Sequence, residues 1–273
     1  MIERERAWRL FAEEFNSSTL EIKGMEERKP SYIITPLGAR ANRVFVVGVI
    51  TDVENVGEEM WRARLSDPTG VFYLVAGKFQ PEMSATLAGI TPPKFFAVVG
   101  KVRTYKPDEG KMYVSIRPEL AKEVSANIRD NWVIDTCKSM LKRINALEEA
   151  KNSTAPEETL LALGYKKEDV DAFIKAIEHY GTDEIEKYKE VARDALRFLI
   201  TSENESSDNA KEEEEMLQII ANLETKTRGA RWDKIIEACR KKGMQKEKAE
   251  EILNLLTDKG LIYEPVLGEI RRI

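Results

Sequence analysis

Residues 43–118 constrain the fold of this chain most, because short β-branched runs alternate there with turn sequences. The run from Arg43 to Val53 is interrupted by Gly48, which permits a sharp bend or a bulge within a strand. Met60 to Leu65 alternates strictly between apolar and other residues, and a Ser-Asp-Pro-Thr-Gly turn sequence leads into Val71 to Ala76. The pattern predicts three consecutive strands, of which the second and third form a hairpin.

A helix and a second hairpin are predicted after these strands. Gln80 to Leu87 has a helical pattern with a proline suited to the first turn. Phe95 to Tyr105 and Lys111 to Arg117 are short apolar runs joined by a loop that contains proline and glycine. Three strands, a helix and two strands is the order of the oligonucleotide/oligosaccharide-binding barrel, a five-stranded fold whose second and third strands and two loops hold the ligand.

Four motifs carry a resemblance to a known family. Tyr32 to Gly38, Asn42 to Gly48, Leu65 to Gly70 and Ala76 to Phe79 resemble the middle subunit of the archaeal heterotrimeric replication protein A, a single-stranded-DNA-binding protein. The layout is also similar, since a long helix follows the barrel and a predicted winged helix closes the chain. The resemblance implies a non-catalytic subunit that binds and protects single-stranded DNA in replication, repair and recombination. It does not cover residues 150–200.

The resemblance also implies which barrel residues contact DNA. Phe79 and Tyr105 stand where the family places its stacking aromatics. Tyr73 either joins them or belongs to the core. Trp61 is a different case, because its alternation with Ala63 favours a core position for Trp61 itself. Cations that follow the phosphates are also required for binding a single strand. The candidates are Arg62, Arg64, Lys78, Lys94, Lys101, Arg103, Lys106 and Lys111.

Catalysis and metal binding are not expected. The chain has two cysteines in separate segments and His179 as its only histidine, so neither a disulfide framework nor a cysteine–histidine zinc site can be assembled. Asp67 and Asp108 lie in turns that select aspartate for local backbone hydrogen bonds, and no spaced acid–base set or phosphate-cradling glycine loop occurs. We therefore expect no enzyme activity and no cofactor.

The charge distribution is compatible with a polyanionic ligand at the barrel alone. The whole chain carries a net charge of −5. Residues 40–118 contain 11 Lys or Arg against 8 Asp or Glu, a net charge of +3, whereas residues 202–215 contain 7 acids against one lysine, a net charge of −6. The acidity is local, and the barrel is the basic part.

Two amphipathic helices are predicted beside the barrel. In residues 1–40, a strap leading to the barrel, Trp8, Phe11, Ala12 and Phe15 have helical spacing, and this helix is expected to pack on the barrel or on a partner. Residues 125–150 form one long helix without proline or glycine. By the resemblance, two sister subunits cover its apolar stripe, and the alternative is coverage by the next segment of the same chain. The stripe comprises Ile128, Trp132, Val133, Cys137, Met140, Leu141, Ile144 and Leu147.

The rest of the chain divides into three predicted segments. Residues 154–200 have the pattern of a small helical bundle, and residues 201–215 have the acidic composition of a flexible linker. Residues 216–273 predict a winged helix-turn-helix, in which acids outnumber lysines on the third helix, so that protein recognition is favoured over duplex DNA. The resemblance implies that this module recruits replication and repair proteins such as primase or DNA polymerase.

No apolar run approaches the roughly 20 residues that span a bilayer, so we expect a cytoplasmic protein. The resemblance implies that it is associated with the nucleoid. Two other functions remain open at this stage. One is a replication or transcription scaffold whose barrel is only structural, and the other is an RNA-binding barrel.

Overall fold

The computed structural model describes residues 5–24, 31–57, 59–108, 110–225, 229–258, 261–266 and 268–272. The chain divides into two units, Met1–Leu199 and Ile200–Ile273. The elements of the first unit, in chain order, are β1 (Ala7–Trp8), α1 (Ala12–Asn16), β2 (Leu20–Ile22), β3 (Tyr32–Ile34), β4 (Arg40–Ala41), β5 (Arg43–Gly57), β6 (Met60–Asp67), β7 (Gly70–Ala76), α2 (Pro81–Ala88), β8 (Lys94–Tyr105), β9 (Tyr113–Glu123), α3 (Ala126–Lys151), α4 (Pro156–Ala162), α5 (Lys167–Tyr180) and α6 (Ile185–Leu223), which continues into the second unit.

The five long strands close into a barrel. β5 pairs antiparallel with both β6 and β8, β6 pairs antiparallel with β7, β7 runs parallel to β9, and β9 pairs antiparallel with β8. Because β5 has a partner on each side, the sheet has no open edge at this point. The strand order is that of the oligonucleotide/oligosaccharide-binding fold, and the predicted sequence of three strands, helix and two strands is confirmed.

Gly48 allows two barrel strands to approach each other closely. A Cβ atom at this position would lie 2.2 Å from the carbonyl oxygen of Ser66 on β6. The register between β5 and β6 is irregular between Ile50 and Asp52 and again between Asn55 and Gly57, so neither bulge is at Gly48. Glycine is therefore needed at position 48 because there is no room for a Cβ atom between the two strands, and not because the strand bends there.

The N-terminal segment differs from its prediction. Trp8 lies in β1, which pairs in parallel with β5 through Arg43 and Val44, and helix α1 begins only at Ala12. The predicted helix over residues 1–15 is therefore wrong for Trp8, and residues 1–4 lie outside the described part. Trp8 on β1 and Phe15 on α1 are both buried in the same core. The apparent helical spacing therefore comes from a strand followed by a short helix.

The turn between β6 and β7 holds the start of α1. Asp67 Oδ2 accepts a hydrogen bond from the Ala12 amide at 2.8 Å, and Thr69 Oγ1 accepts one from the Glu13 amide at 3.1 Å. These side chains satisfy two of the amides that a helix N-terminus leaves without partners. The turn aspartate therefore acts on a distant helix as well as on its own turn.

Helix α3 packs on the barrel and on the helices that follow it. Trp132 Nε1 donates to the carbonyl oxygen of Phe45 on β5 at 2.9 Å, and the Trp132 ring meets the Phe11 ring edge-on. Cys137 Sγ lies 3.6 Å from the carbonyl oxygen of Ala192 on α6. All three contacts lie within the first unit.

The prediction that sister subunits cover the α3 stripe is wrong for six of its eight residues. Trp132, Val133, Cys137, Met140, Ile144 and Leu147 are buried against the chain's own residues. Ile128 and Leu141 remain exposed. The same chain covers all six, but the following segment is only part of the cover: Cys137 contacts Ala192 on α6, whereas Trp132 contacts Phe45 of the barrel and Phe11 of the N-terminal segment.

The segment predicted to be a flexible linker is helical. Residues 201–215 lie within α6, and the boundary between the two units falls inside this helix, after Leu199. The sequence contains no glycine or proline from residue 182 to residue 228, and its glutamate, alanine and lysine residues are good helix formers. Composition alone suggested disorder because the acidic residues outnumber the apolar ones.

The second unit combines helices with a small sheet. After α6 come β10 (Ala230–Arg231), α7 (Trp232–Lys241), α8 (Lys246–Asp258), β11 (Ile262–Val266) and β12 (Glu269–Arg272). The sheet has the order β10-β12-β11 with antiparallel pairs. Its core is separate from that of the barrel and includes Met216, Ile235, Cys239, Leu253 and Ile270. Among the described residues, no helix has the length and apolarity needed to cross a bilayer.

Candidate nucleic-acid interface

The strand register places the candidate residues on the outside of the barrel. Arg64 on β6 faces Tyr73 on β7, while Leu65 and Phe72 beside them point into the core. The parallel pairing of Leu74 with Ile116 sets Tyr73 alongside Ser115 of β9. An outer surface therefore runs continuously from β6 through β7 to β9.

Three aromatic side chains are exposed on or beside this surface: Tyr73 on β7, Tyr105 at the end of β8 and Phe79 in the turn after β7. The exposed fractions are 87% for Phe79, 67% for Tyr105 and 40% for Tyr73. Of the two possibilities for Tyr73, the structure shows the outward one, whereas Trp61 is only partly exposed and packs against the core. The three aromatic residues named by the sequence are thus accessible.

Tyr113 is a fourth exposed aromatic residue at this surface, and it was not predicted from the sequence. It faces Tyr105 across the β8–β9 pair and is 63% exposed. Residues opposite each other in an antiparallel pair present their side chains on the same face. We call Phe79, Tyr73, Tyr105 and Tyr113 the aromatic row.

The aromatic row extends along the strands. The register between β7 and β9 puts Tyr113 level with Val71, at the start of β7, and Phe79 follows the end of that strand at Ala76. Val71 and Ala76 are five residues apart on β7, which at about 3.3 Å per residue places them roughly 17 Å from each other. Phe79 and Tyr105 therefore stand at opposite ends of the row, with Tyr73 between them.

The two candidate arginines on β6 are paired with acids. Arg62 Nη2 lies 2.6 Å from Glu54 Oε1, and Arg64 Nε lies 3.8 Å from Asp52 Oδ2, both across the β5–β6 pair. All four side chains are substantially exposed, so water screens these ion pairs. Each pair reduces the positive charge that β6 presents to a ligand.

Lysines without an acidic partner lie at both ends of the row. Lys78 Nζ is 5.2 Å from the centre of the Phe79 ring, and Lys106 directly follows Tyr105. Neither forms an ion pair within the described residues. Lys111 differs, because it lines a separate cleft with Tyr180 and Glu184. Lys94 is paired with Glu123 at 2.8 Å.

A second basic group lies on β8 and β9. Lys101 faces Arg117, and Arg103 follows two residues later on the same face of β8. Burial, together with the positive charge of Arg117, lowers the pKa of Arg103. Arg117 therefore lies close enough to Arg103 to interact with it electrostatically. Arg117 was not predicted as a contact from the sequence, because its position beside Arg103 follows only from the β8–β9 register.

Among the described residues, no group of three or more histidine, cysteine, aspartate or glutamate side chains is arranged to hold a metal ion. Burial raises the pKa of Asp67 to about 6, but its carboxylate is occupied by the Ala12 and Gly70 amides and by the Thr69 amide and hydroxyl. Asp67 is thus committed to holding the turn and α1.

No protein-family model matches the sequence, and no curated protein matches it. The solved structures that resemble the fold include the Stn1–Ten1 complex of S. pombe, at 14% identity, a TM-score of 0.41 and coverage of 50% of this chain and 93% of that one. A replication protein A heterotrimer bound to single-stranded DNA has 11% identity, a TM-score of 0.37 and coverage of 51% and 98%. Asparaginyl-tRNA synthetase from Pyrococcus horikoshii has 14% identity, a TM-score of 0.30 and coverage of 60% and 36%. At such scores the assignment of the barrel rests on its own strand order.

Proposed function

We propose that this chain is a non-catalytic protein that binds single-stranded DNA on the outer face of its barrel. The observation that carries the proposal is the aromatic row, three exposed rings on the neighbouring strands β7, β9 and β8 of a closed barrel and a fourth, Phe79, in the turn after β7. Exposed aromatic side chains are costly to leave in water, and bases stack on such rings with about 1–3 kcal/mol each. This stacking is tolerant of sequence, because every base has a flat face.

The cations beside the row supply the second part of the binding mechanism. Lys78 and Lys106 lie at its two ends without acidic partners among the described residues, so they are available to phosphates. Arg62 and Arg64 become available once a phosphate competes with Glu54 and Asp52. Each phosphate contact displaces counterions, and affinity should therefore fall with salt.

Replacing Phe79 and Tyr105 together tests this function. The Phe79→Ala/Tyr105→Ala variant should bind oligodeoxythymidine at least 30-fold more weakly than the native chain, since two stacking contacts are lost. Fluorescence anisotropy at a fixed salt concentration measures this change. Tyr263→Ala removes an exposed ring of the second unit and serves as the matched control.

Each alternative function has its own signature in this experiment. If the double variant binds DNA as tightly as the native chain, the barrel is structural and the scaffold hypothesis is favoured. If an RNA oligomer of equal length binds more tightly than DNA and depends on the same two rings, the ligand is RNA. Tight DNA binding that depends on both rings supports our proposal.

The finer proposal is that the chain is the middle subunit of a heterotrimeric replication protein A. The four sequence motifs and the order of barrel, long helix and C-terminal module support it. Because the inner stripe of α3 is covered, sister subunits would contact the exposed face of this helix, which carries Ile128, Ile134 and Leu141. The stoichiometry of the natively purified complex, measured by mass, tests this assignment.

The C-terminal unit has the element order of a winged helix-turn-helix, and we assign it the recruitment of replication and repair proteins. Helix α8 supports this role, since Glu247, Glu250 and Glu251 surround its lysines and disfavour a nucleic-acid backbone. Residues 216–273, tested against duplex DNA and against primase or DNA polymerase, should bind only the proteins.

A further inference from the structure

A polar cleft lies where the small sheet β2-β3-β4 meets strand β8. Its volume is about 260 Å³. Two bonds hold the walls together: Thr104 Oγ1 donates to Glu21 Oε1 at 2.8 Å, and the Val102 amide donates to the carbonyl oxygen of Asn42 at 2.7 Å. The cleft is therefore a built feature of the first unit. It is lined by Glu21, Ser31, Tyr32, Ile33, Asn42 and residues 101–104.

Asn42 has a polar side chain that this fold leaves unused. The residue is 5% exposed and lines the cleft, yet its side-chain amide has no hydrogen-bond partner among the described residues. Solvent in the cleft reaches the amide atoms, so a ligand there can hydrogen-bond to them without displacing a protein group. Asn42 belongs to one of the four sequence motifs, but it is not part of the aromatic row.

Two cations line the same cleft. Lys101 and Arg103 form no ion pair within the described residues, and Arg117 adds a further positive charge beside Arg103. Arg40 lies over the Tyr32 ring at 4.1 Å and so borders the same wall. The one acid in the lining is Glu21, which accepts the hydrogen bond from Thr104. The cleft consequently suits an anion that also accepts a hydrogen bond.

We infer that the cleft is a subsite for one phosphate-bearing nucleotide, with Lys101 and Arg103 neutralising the phosphate and the Asn42 amide donating to it. The inference rests on the proposed function, because Tyr105 directly follows the cleft residues on β8. A strand stacked on Tyr105 and Tyr113 continues over β8 into the cleft. The same chemistry would hold a free nucleotide.

Asn42→Asp tests the subsite without touching the aromatic row. It places a negative charge where the phosphate would lie and removes the donor. We expect about tenfold weaker binding of a 16-nucleotide oligodeoxythymidine and a salt slope smaller by about 0.7, the value for one phosphate contact of a single strand. A 6-nucleotide oligomer, at the short end of the range for one barrel, should bind within twofold of the native chain. Asn145→Asp makes the same change on the exposed face of α3 and should alter neither.

The remaining outcomes are also decisive. If Asn42→Asp binds both the 16-nucleotide oligomer and thymidine monophosphate like the native chain, the subsite is overturned, whereas native-like binding of the oligomer by Phe79→Ala/Tyr105→Ala overturns the proposed function. If titration calorimetry shows that thymidine monophosphate binds and that Asn42→Asp alone abolishes its binding, the subsite stands but takes a free nucleotide. Should Asn42→Asp fail to fold, Asn42→Ala removes the donor without adding charge and should bind the longer oligomer about threefold more weakly.

Discussion

Glu14 and Arg143 form an ion pair from which solvent is excluded. Arg143 Nη2 lies 2.6 Å from Glu14 Oε2, and the two side chains are 3% and 0% exposed, respectively. Thr35 Oγ1 donates to the other Glu14 oxygen at 2.7 Å, and Ser139 accepts from Arg143 Nη1. The pair connects α1, the loop after β3 and α3, so the N-terminal segment is fastened to the long helix.

Removing one member of this pair should destabilise the protein strongly. In Arg143→Met the Glu14 carboxylate stays buried without its cation, and an uncompensated buried charge costs about 3–5 kcal/mol. Urea denaturation followed by circular dichroism measures the free energy of unfolding. We expect the midpoint to fall without loss of the native fold.

Two controls separate burial from pairing. Glu14→Leu combined with Arg143→Met removes both charges and should recover most of the loss, because the desolvation cost disappears with them. Glu13→Gln breaks the exposed pair with Lys187, at 2.7 Å, and should cost less than about 1 kcal/mol. Equal effects of Glu13→Gln and Arg143→Met would contradict the importance of burial.

Gly48→Ala should destabilise the barrel although alanine is a small residue. Its Cβ atom would meet the Ser66 carbonyl oxygen at 2.2 Å, so β5 and β6 must move apart, at a cost of about 3 kcal/mol. Gly77→Ala is the matched control, since no atom lies within 4 Å of its added Cβ, and it should change stability by no more than about 0.5 kcal/mol. Thermal unfolding compares the two, and similar midpoints would contradict the close approach.

The strand order was predictable because its signals are local. Alternation in Met60 to Leu65 and the turn before Val71 specify a hairpin within about 17 residues, without reference to distant parts of the chain. Tyr113 shows the limit of this reasoning. Nothing in its own neighbourhood marks it as a ligand contact, and its position opposite Tyr105 follows only from the register across a loop.

Coverage of an apolar face is not a local property. The periodicity of α3 indicates which side is apolar, but the atoms that cover Trp132 and Cys137 come from Phe45, Phe11 and Ala192, 55 to 121 residues away. Trp8 is similar, because its spacing to Phe11 fits a helix while its backbone pairs with Val44. In both cases pairing with a distant segment decided the structure.

Cys137 should make stability fall at alkaline pH. Burial raises the pKa of its thiol to about 11 in the folded protein, from 9.0. Between these values the unfolded chain loses the proton and the folded chain keeps it, so the free energy of unfolding decreases as pH rises from 9 to 11, by on the order of 2 kcal/mol. Lysine and tyrosine residues titrate in the same range, so the measurement is the difference between the native chain and Cys137→Ala, which should lack this component. An unchanged difference over that interval would contradict the assignment.

Unpaired lysines should control the salt dependence of DNA binding. Lys78→Gln/Lys106→Gln removes two cations without acidic partners among the described residues, and the slope of log affinity against log salt should decrease by about 1.4, or 0.7 for each phosphate contact. Glu54→Gln should act in the opposite direction, because it releases Arg62 for a phosphate and should raise the slope by about 0.7. Lys151→Gln/Lys175→Gln makes the same change in net charge on exposed helical surfaces and should leave the slope unaltered. Equal salt slopes for the two double variants would mean that the net charge of the protein governs the affinity, rather than phosphate contacts beside the aromatic row.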